Sequence, residues 1–198
     1  MKTYLSIDID YWNDRPRGMI PYLNKVYKDC QKRRIPLVVI KNHQQALPLV
    51  NKSGAERLIN IDFHTDLCGE YIDQLNCGTW VNYVKWQRKG EYLWIHPGKN
   101  TNRGECGAVD LFSGNGRVAR KKNEGFYYIK WKSVRHQTRR LPTPSFLNLT
   151  GVSICISPSY SYDGVQETFK KWRKGKNIKM MNSRYHENDS VYKEIKIL

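Results

Sequence analysis

Leu58-Ile59-Asn60-Ile61-Asp62-Phe63-His64-Thr65-Asp66-Leu67 is an apolar run that ends in acid, imidazole, acid at every second position. Read as extended chain, it projects Asp62, His64 and Asp66 to one side. A shorter version stands at the N-terminus, Tyr4-Leu5-Ser6-Ile7-Asp8-Ile9-Asp10-Tyr11-Trp12, where Asp8 and Asp10 share a face. A third apolar run, Pro36-Leu37-Val38-Val39-Ile40, closes on Asn42-His43. An aspartate at the end of a strand is ordinarily a turn former or a helix cap. Carboxylates crowded on one face are another matter: each costs several kcal/mol to desolvate unless paired or metal-bound. Open α/β sheets bind ligands outside the carboxyl ends of their strands, which is where all three runs give out.

The donor set is rich in carboxylate, with imidazole and no thiolate. That chemistry favours Mn, Fe, Co or Zn in oxygen and nitrogen coordination over a cysteine-lined structural zinc. Five or six ligands exceed what one ion with an open position can use. They suit two ions bridged by shared carboxylates, an arrangement that activates water between them.

Asp62-Phe63-His64-Thr65-Asp66 resembles the signature Asp-Ala-His-Thr-Asp of the arginase/deacetylase superfamily of ureohydrolases at its four polar positions. Ser6-Ile7-Asp8-Ile9-Asp10 is similar to the Ser-x-Asp-x-Asp segment of that family. Asn42-His43-Gln44 is similar to its Asp-His-Ser turn, with Asn42 in place of Asp. The motif order differs from ordinary arginases, because the Asp-x-Asp segment comes first, as in a circular permutation. This order and the short chain resemble the peptide arginases, which convert arginine side chains of ribosomally made precursor peptides to ornithine. The resemblance implies a three-layer α/β/α fold with a mainly parallel sheet and two Mn²⁺ ions. It implies Asp62 and Asp8 as bridging ligands, His43 and Asp66 on one ion, and His64 and Asp10 on the other. Asp66 would also take the proton of the attacking water. The loop Asn76-Cys77-Gly78-Thr79-Trp80 lacks the histidine that arginases use to shuttle a proton, and His96 is the candidate substitute. The acid that pairs with the guanidinium has no clear counterpart. Asp163 is the candidate for binding substrate, set against its reading as a turn former before Gly164. Leu67-Cys68 stands where a polar grip on free arginine is typical, as expected when the arginine lies within a peptide.

Around these motifs the pattern alternates. Strands are expected at Thr3 to Ile9, Leu37 to Ile40, Tyr92 to His96, Phe126 to Trp131 and Val152 to Ile156, in addition to the Asp-x-His-x-Asp segment. Helices are expected from Met19 to Arg33, from Gln44 to Val50 (compromised by Pro48), and from near Trp80. The rhythm predicts a parallel sheet covered by helices, in one domain spanning residues 1–198. Glycine-punctuated residues 97–125 read as a lid or substrate loop. Residues 165–198 read as a basic C-terminal segment.

The net charge of +16 is concentrated between Arg117 and Arg140 and between Lys170 and Lys179. Such a field attracts polyanions and steers acidic partners. An acidic leader on a precursor peptide fits it. Nucleic acid is the rival partner, disfavoured because no nucleic-acid-binding motif is present. Cys30, Cys68, Cys77, Cys106 and Cys155 are odd in number and lack metal-site spacing, so reduced thiols and a cytoplasmic location are expected. No apolar run is long enough for a membrane span. Two other classes stay open: an amidohydrolase of the deacetylase branch, disfavoured by the absence of adjacent histidines, and a non-catalytic binder of acidic polymers.

Overall fold

The computed structural model describes residues 1–67, 75–85, 90–98, 131–138, 140–178 and 180–181, with the main chain alone for 131–138. Strands β1 (Lys2–Asp8), β2 (Leu37–Ile40), β3 (Arg57–Ile61), β4 (Gly90–His96), β5 (Trp131–Thr138) and β6 (Asn148–Cys155) form one sheet. Its order is β2-β6-β1-β3-β4-β5, and every neighbouring pair is parallel. Beyond β2 the edge is continued by a single bridge from Met180 to Val39.

Alternation along the strands sorts side chains into two apolar layers. Leu5, Ile7, Ile59, Ile61, Ile95 and Ile154 pack with helices α1 (Met19–Arg33) and α3 (Asp163–Gly175). Tyr4, Leu58, Tyr92, Trp94 and Cys155 pack with helix α2 (Ala46–Lys52) and the 3₁₀ turn Trp80–Tyr83. Helices thus cover both faces, as the alternating sequence pattern predicts. In α1, Met19, Tyr22, Leu23, Val26 and Cys30 make the buried stripe, at helical spacing. The helix ends at Arg34 in the left-handed region (φ 55°), whose N–H meets the carbonyls of Cys30 and Gln31, and Pro36 follows. Among the described residues, no helix is long and apolar enough to cross a membrane.

Several expected boundaries move. The segment expected as an Asp-x-His-x-Asp strand is a turn, because β3 stops at Ile61, and β1 stops at Asp8 before a 3₁₀ turn over Ile9–Trp12. The helix expected near Trp80 is the 3₁₀ turn Trp80–Tyr83. Pro48 does not compromise α2: it is the third residue of that helix, where its missing N–H would have had no intrahelical acceptor. β5 begins at Trp131, where a strand was expected to end, and residues 126–130 lie outside the described residues. α3 was not foreseen. Its buried Val165, Phe169 and Trp172 are a stripe of only a few apolar residues within a basic segment. The expected lid, residues 97–125, lies outside the described residues beyond Gly98.

Candidate metal centre

β1 and β3 are neighbours, yet their chains leave in opposite directions: β1 leads to α1 on one face, and β3 leads to the Trp80–Tyr83 turn on the other. Connections that part in this way open a crevice at the carboxyl ends of the two strands, the favoured binding position in open α/β sheets. Asp8 and Asp10 line it from β1, and Asp62, His64 and Asp66 from β3.

Two matched turns place these side chains. Asp8 Oδ1 accepts the Asp10 N–H at 3.1 Å, and Asp62 Oδ1 accepts the His64 N–H at 2.8 Å. Each aspartate therefore bends the chain that follows it, in the manner of an Asx turn. The Phe63 N–H to Asp10 Oδ1 bond of 3.2 Å joins the two turns. Asp66 adopts φ 54°, a left-handed conformation that aspartate tolerates better than most residues, and so turns back into the crevice. The six expected ligands do converge, but through turns rather than through alternation along strands.

His43 enters from a third direction. It opens the 3₁₀ turn His43–Gln45, where the side chain of Asn42 caps the turn and Gln45 Oε1 accepts from the Lys41 and Asn42 N–H groups at 2.8 and 3.1 Å. Asn42 therefore has a capping role. His43 Nε2 lies 2.7 Å from Ser6 Oγ, while Nδ1 faces Asp62 Oδ2 and Asp66 Oδ2, both at 2.9 Å, and Asp8 Oδ2 at 3.4 Å. His64 Nδ1 lies 3.1 Å from Asp10 Oδ2 and 3.7 Å from Asp62 Oδ1. Two triads that could each hold an ion result, Asp8–His43–Asp62 and Asp10–Asp62–His64, with Asp62 common to both.

The electrostatics are those of a site short of positive charge. Burial, with Asp10 and Asp62 nearby, pushes the Asp8 carboxyl well above its ordinary range, and burial beside Asp62 raises Asp10. Burial, reinforced by Asp62, pushes Asp66 up to about 7. Burial alone would lower His43, but Asp66 and Asp62 raise it well above the ordinary imidazole value. His64 is likewise lowered by burial yet pushed up to about 12 by Asp10 and Asp62. Asp62 is the exception: its two histidine partners outweigh burial and hold it below the ordinary carboxylate range. Protons thus occupy positions where cations would serve. Asp10 Oδ2 is buried without a hydrogen bond of good geometry, despite His64 at 3.1 Å. Oxygen and nitrogen donors in two linked triads, one of them with an unsatisfied oxygen, fit a pair of divalent cations.

Residues not singled out in the sequence hold this centre in place. Trp80 Nε1 and Asn60 Nδ2 donate to Asp66 Oδ2 at 2.5 and 3.3 Å, and Asn60 also donates to Asp62 Oδ2 at 3.1 Å. Ser157 Oγ donates to Asp8 Oδ2, and the Trp94 indole donates to the Asp62 carbonyl at 3.0 Å. Asn60 lies two residues before the motif, on the same strand face as Asp62, and that parity is the signal that could have found it. Tyr160, 49% exposed, sets its ring against His64 at 5.1 Å and lies 3.7 Å from Cys77 Sγ. His96 is buried at the carboxyl end of β4, stacked on Trp94 at 4.4 Å, and belongs to neither triad. Asp163 is exposed at the first turn of α3, also outside both triads, where its charge complements the helix N-terminus. Cys30, Cys77 and Cys155 are free thiols.

No family model, curated protein or solved structure matches the chain.

Proposed function

We propose that this chain is a two-metal ureohydrolase of the arginase/deacetylase type that hydrolyses the guanidinium of arginine within a peptide, yielding ornithine and urea. The observation that carries this reading is the sharing of Asp62 by two oxygen and nitrogen triads in the β1/β3 crevice, built from motifs that resemble those of arginases. Asp8, His43, Asp62 and Asp66 would hold one Mn²⁺, and Asp10, Asp62 and His64 the other. Bound ions of this kind supply Lewis-acid charge that makes water nucleophilic near neutral pH.

The chain's own groups would handle the protons. Asp66 Oδ2, held by the Trp80 indole and the Asn60 amide, would take the proton of the attacking water. The departing amine needs a proton in return: Tyr160, half-exposed beside His64, is the nearer candidate donor, and His96, buried and stacked on Trp94, is the second. Loss of either should depress kcat more than it raises KM. Leu67 supports a peptide substrate. It is buried in the apolar layer on the α2 side, so the position after Asp66 offers no polar grip to the charged backbone of a free amino acid. That backbone would be desolvated without partners, whereas an amide-linked one is neutral.

The test is urea release from free arginine, from an arginine-containing core peptide and from a leader–core precursor with Mn²⁺ supplied. Release from the peptides with little from free arginine is expected. No urea from any of them would end the ureohydrolase reading, and equal turnover of free arginine would end the peptide reading.

A further inference from the structure

A cleft of about 560 Å³ opens between the exits of β1, β4 and β5, and its lining begins at Tyr11, the residue after Asp10. Its floor is the turn that carries Asp10 into Tyr11 and Trp12, and Pro97 and Leu141 complete an apolar wall. Tyr11 and Trp12 are buried and braced against each other edge to face at 4.9 Å, so this wall is formed in advance of binding. Arg15 and Arg17 stand at the rim with Asp14, two guanidinium groups against one carboxylate. Among the described residues neither arginine forms an ion pair. Planar guanidinium groups bind carboxylates through paired, charge-assisted hydrogen bonds, and an apolar floor accommodates the methylene stem of such a side chain.

We propose that this cleft receives an acidic side chain of the peptide substrate, flanking the arginine whose guanidinium enters the metal centre. The inference rests on the arginine-peptide reading and adds to it a sequence preference. Asp10 belongs to the centre and Tyr11 to the cleft, and consecutive Cα atoms are only about 3.8 Å apart. A substrate spanning both sites would carry its acid close to the arginine in sequence, at a register that the scan of flanking positions identifies. Arg15 and Arg17 would draw such a segment to the cleft.

The experiment uses fluorescein-labelled peptides with one arginine and a glutamate or a glutamine at each flanking position in turn. Binding to the Mn²⁺-supplied full chain is read by anisotropy, beside metal content and circular dichroism. At one register glutamate should bind about tenfold or more tightly than glutamine, as expected for losing charge-assisted hydrogen bonds. That preference should vanish in Arg15→Ala/Arg17→Ala and weaken as salt rises. Gly18→Leu supplies a test independent of charge. Gly18 lines the cleft with φ −80°, and a Cβ there would come no nearer than 3.5 Å to Trp12, so leucine fills the space without backbone strain. It too should abolish the preference. Equal binding of glutamate and glutamine peptides, or a preference that survives both variants, would overturn the proposal. So would displacement by a single-stranded oligonucleotide at lower concentration than by the acidic peptide. Acid-dependent binding without urea from any peptide would keep the cleft and sink the arginine hydrolysis. Urea release indifferent to acid would do the reverse.

Discussion

Ser6→Ala removes one hydroxyl that touches none of the aspartates, and it should nonetheless loosen one metal ion. Ser6 is completely buried on β1 and His43 is 1% exposed, so water cannot replace the lost contact without rearrangement. When Nε2–H of His43 donates to Ser6 Oγ over 2.7 Å, the Nδ1 lone pair is directed at the carboxylates, where a cation would sit. Without the hydroxyl, Nε2 is left unpaired in the interior, at a cost of about 1–3 kcal/mol. The metal-free chain bears that cost too, so the effect on binding is instead the roughly 10- to 100-fold in metal affinity that loss of an outer partner of a metal-bound histidine typically costs. Mn²⁺ titration by calorimetry should therefore show weakening of about that size for the ion held with Asp8, His43 and Asp62. The ion held by Asp10 and His64 should change less, and activity should recover at saturating Mn²⁺. Unchanged affinity for both ions in a folded Ser6→Ala protein would show that His43 does not depend on Ser6, or does not bind metal.

Substitutions among the ligands should divide by stoichiometry. His64→Ala should leave about one ion per chain, because its triad lacks His43, whereas Asp62→Ala should leave none, because both triads share it. Metal analysis after dialysis measures this, and identical losses in the two variants would refute the shared-carboxylate arrangement. A further prediction concerns pH. Asp66 is raised to about 7 in the folded, metal-free chain, so its contribution to stability is full below the ordinary carboxylate value of about 4 and is lost as pH rises through about 7. His64, raised to about 12, contributes fully below about 6.5 and loses that contribution as pH rises through about 12. Mn²⁺ displaces these protons, so the increase in Tm that it produces should grow between about pH 5 and pH 8, and protons should be released on binding. A metal-induced increase that stays flat across that window would refute the assignment.

The parallel sheet and the meeting of acid and imidazole side chains were legible because both are written in short patterns. β2 was expected at Leu37 to Ile40 and α1 at Met19 to Arg33, and both lie there, since an apolar run bounded by Pro36 and a stripe at helical spacing each leave little freedom. The reason the ligands meet was not legible. Strand alternation explains Asn60 and carries over to Asp62, one residue past β3, whose N–H still bonds β4 at the Ile95 carbonyl. It does not explain His64, Asp66 or Asp10, which lie beyond the strand ends, where a side chain's direction depends on turn chemistry. Those turns are closed by the carboxylates of Asp8 and Asp62, residues that sequence pattern marks as ligands without showing that their other oxygens accept backbone N–H groups. Ser157 was invisible for a different reason. It reaches Asp8 from the exit of β6, and that contact depends on β6 standing next to β1, a neighbour distant in sequence. The same non-local order makes the crevice: β1 and β3 adjoin while their connections part, and neither strand announces its neighbour. Acid and imidazole at the ends of several apolar runs thus suggest a shared site, but the strand order decides whether they meet. Here β1 and β3 are adjacent and β2 lies beyond β6, so His43 reaches the centre through its capped turn and through Ser6.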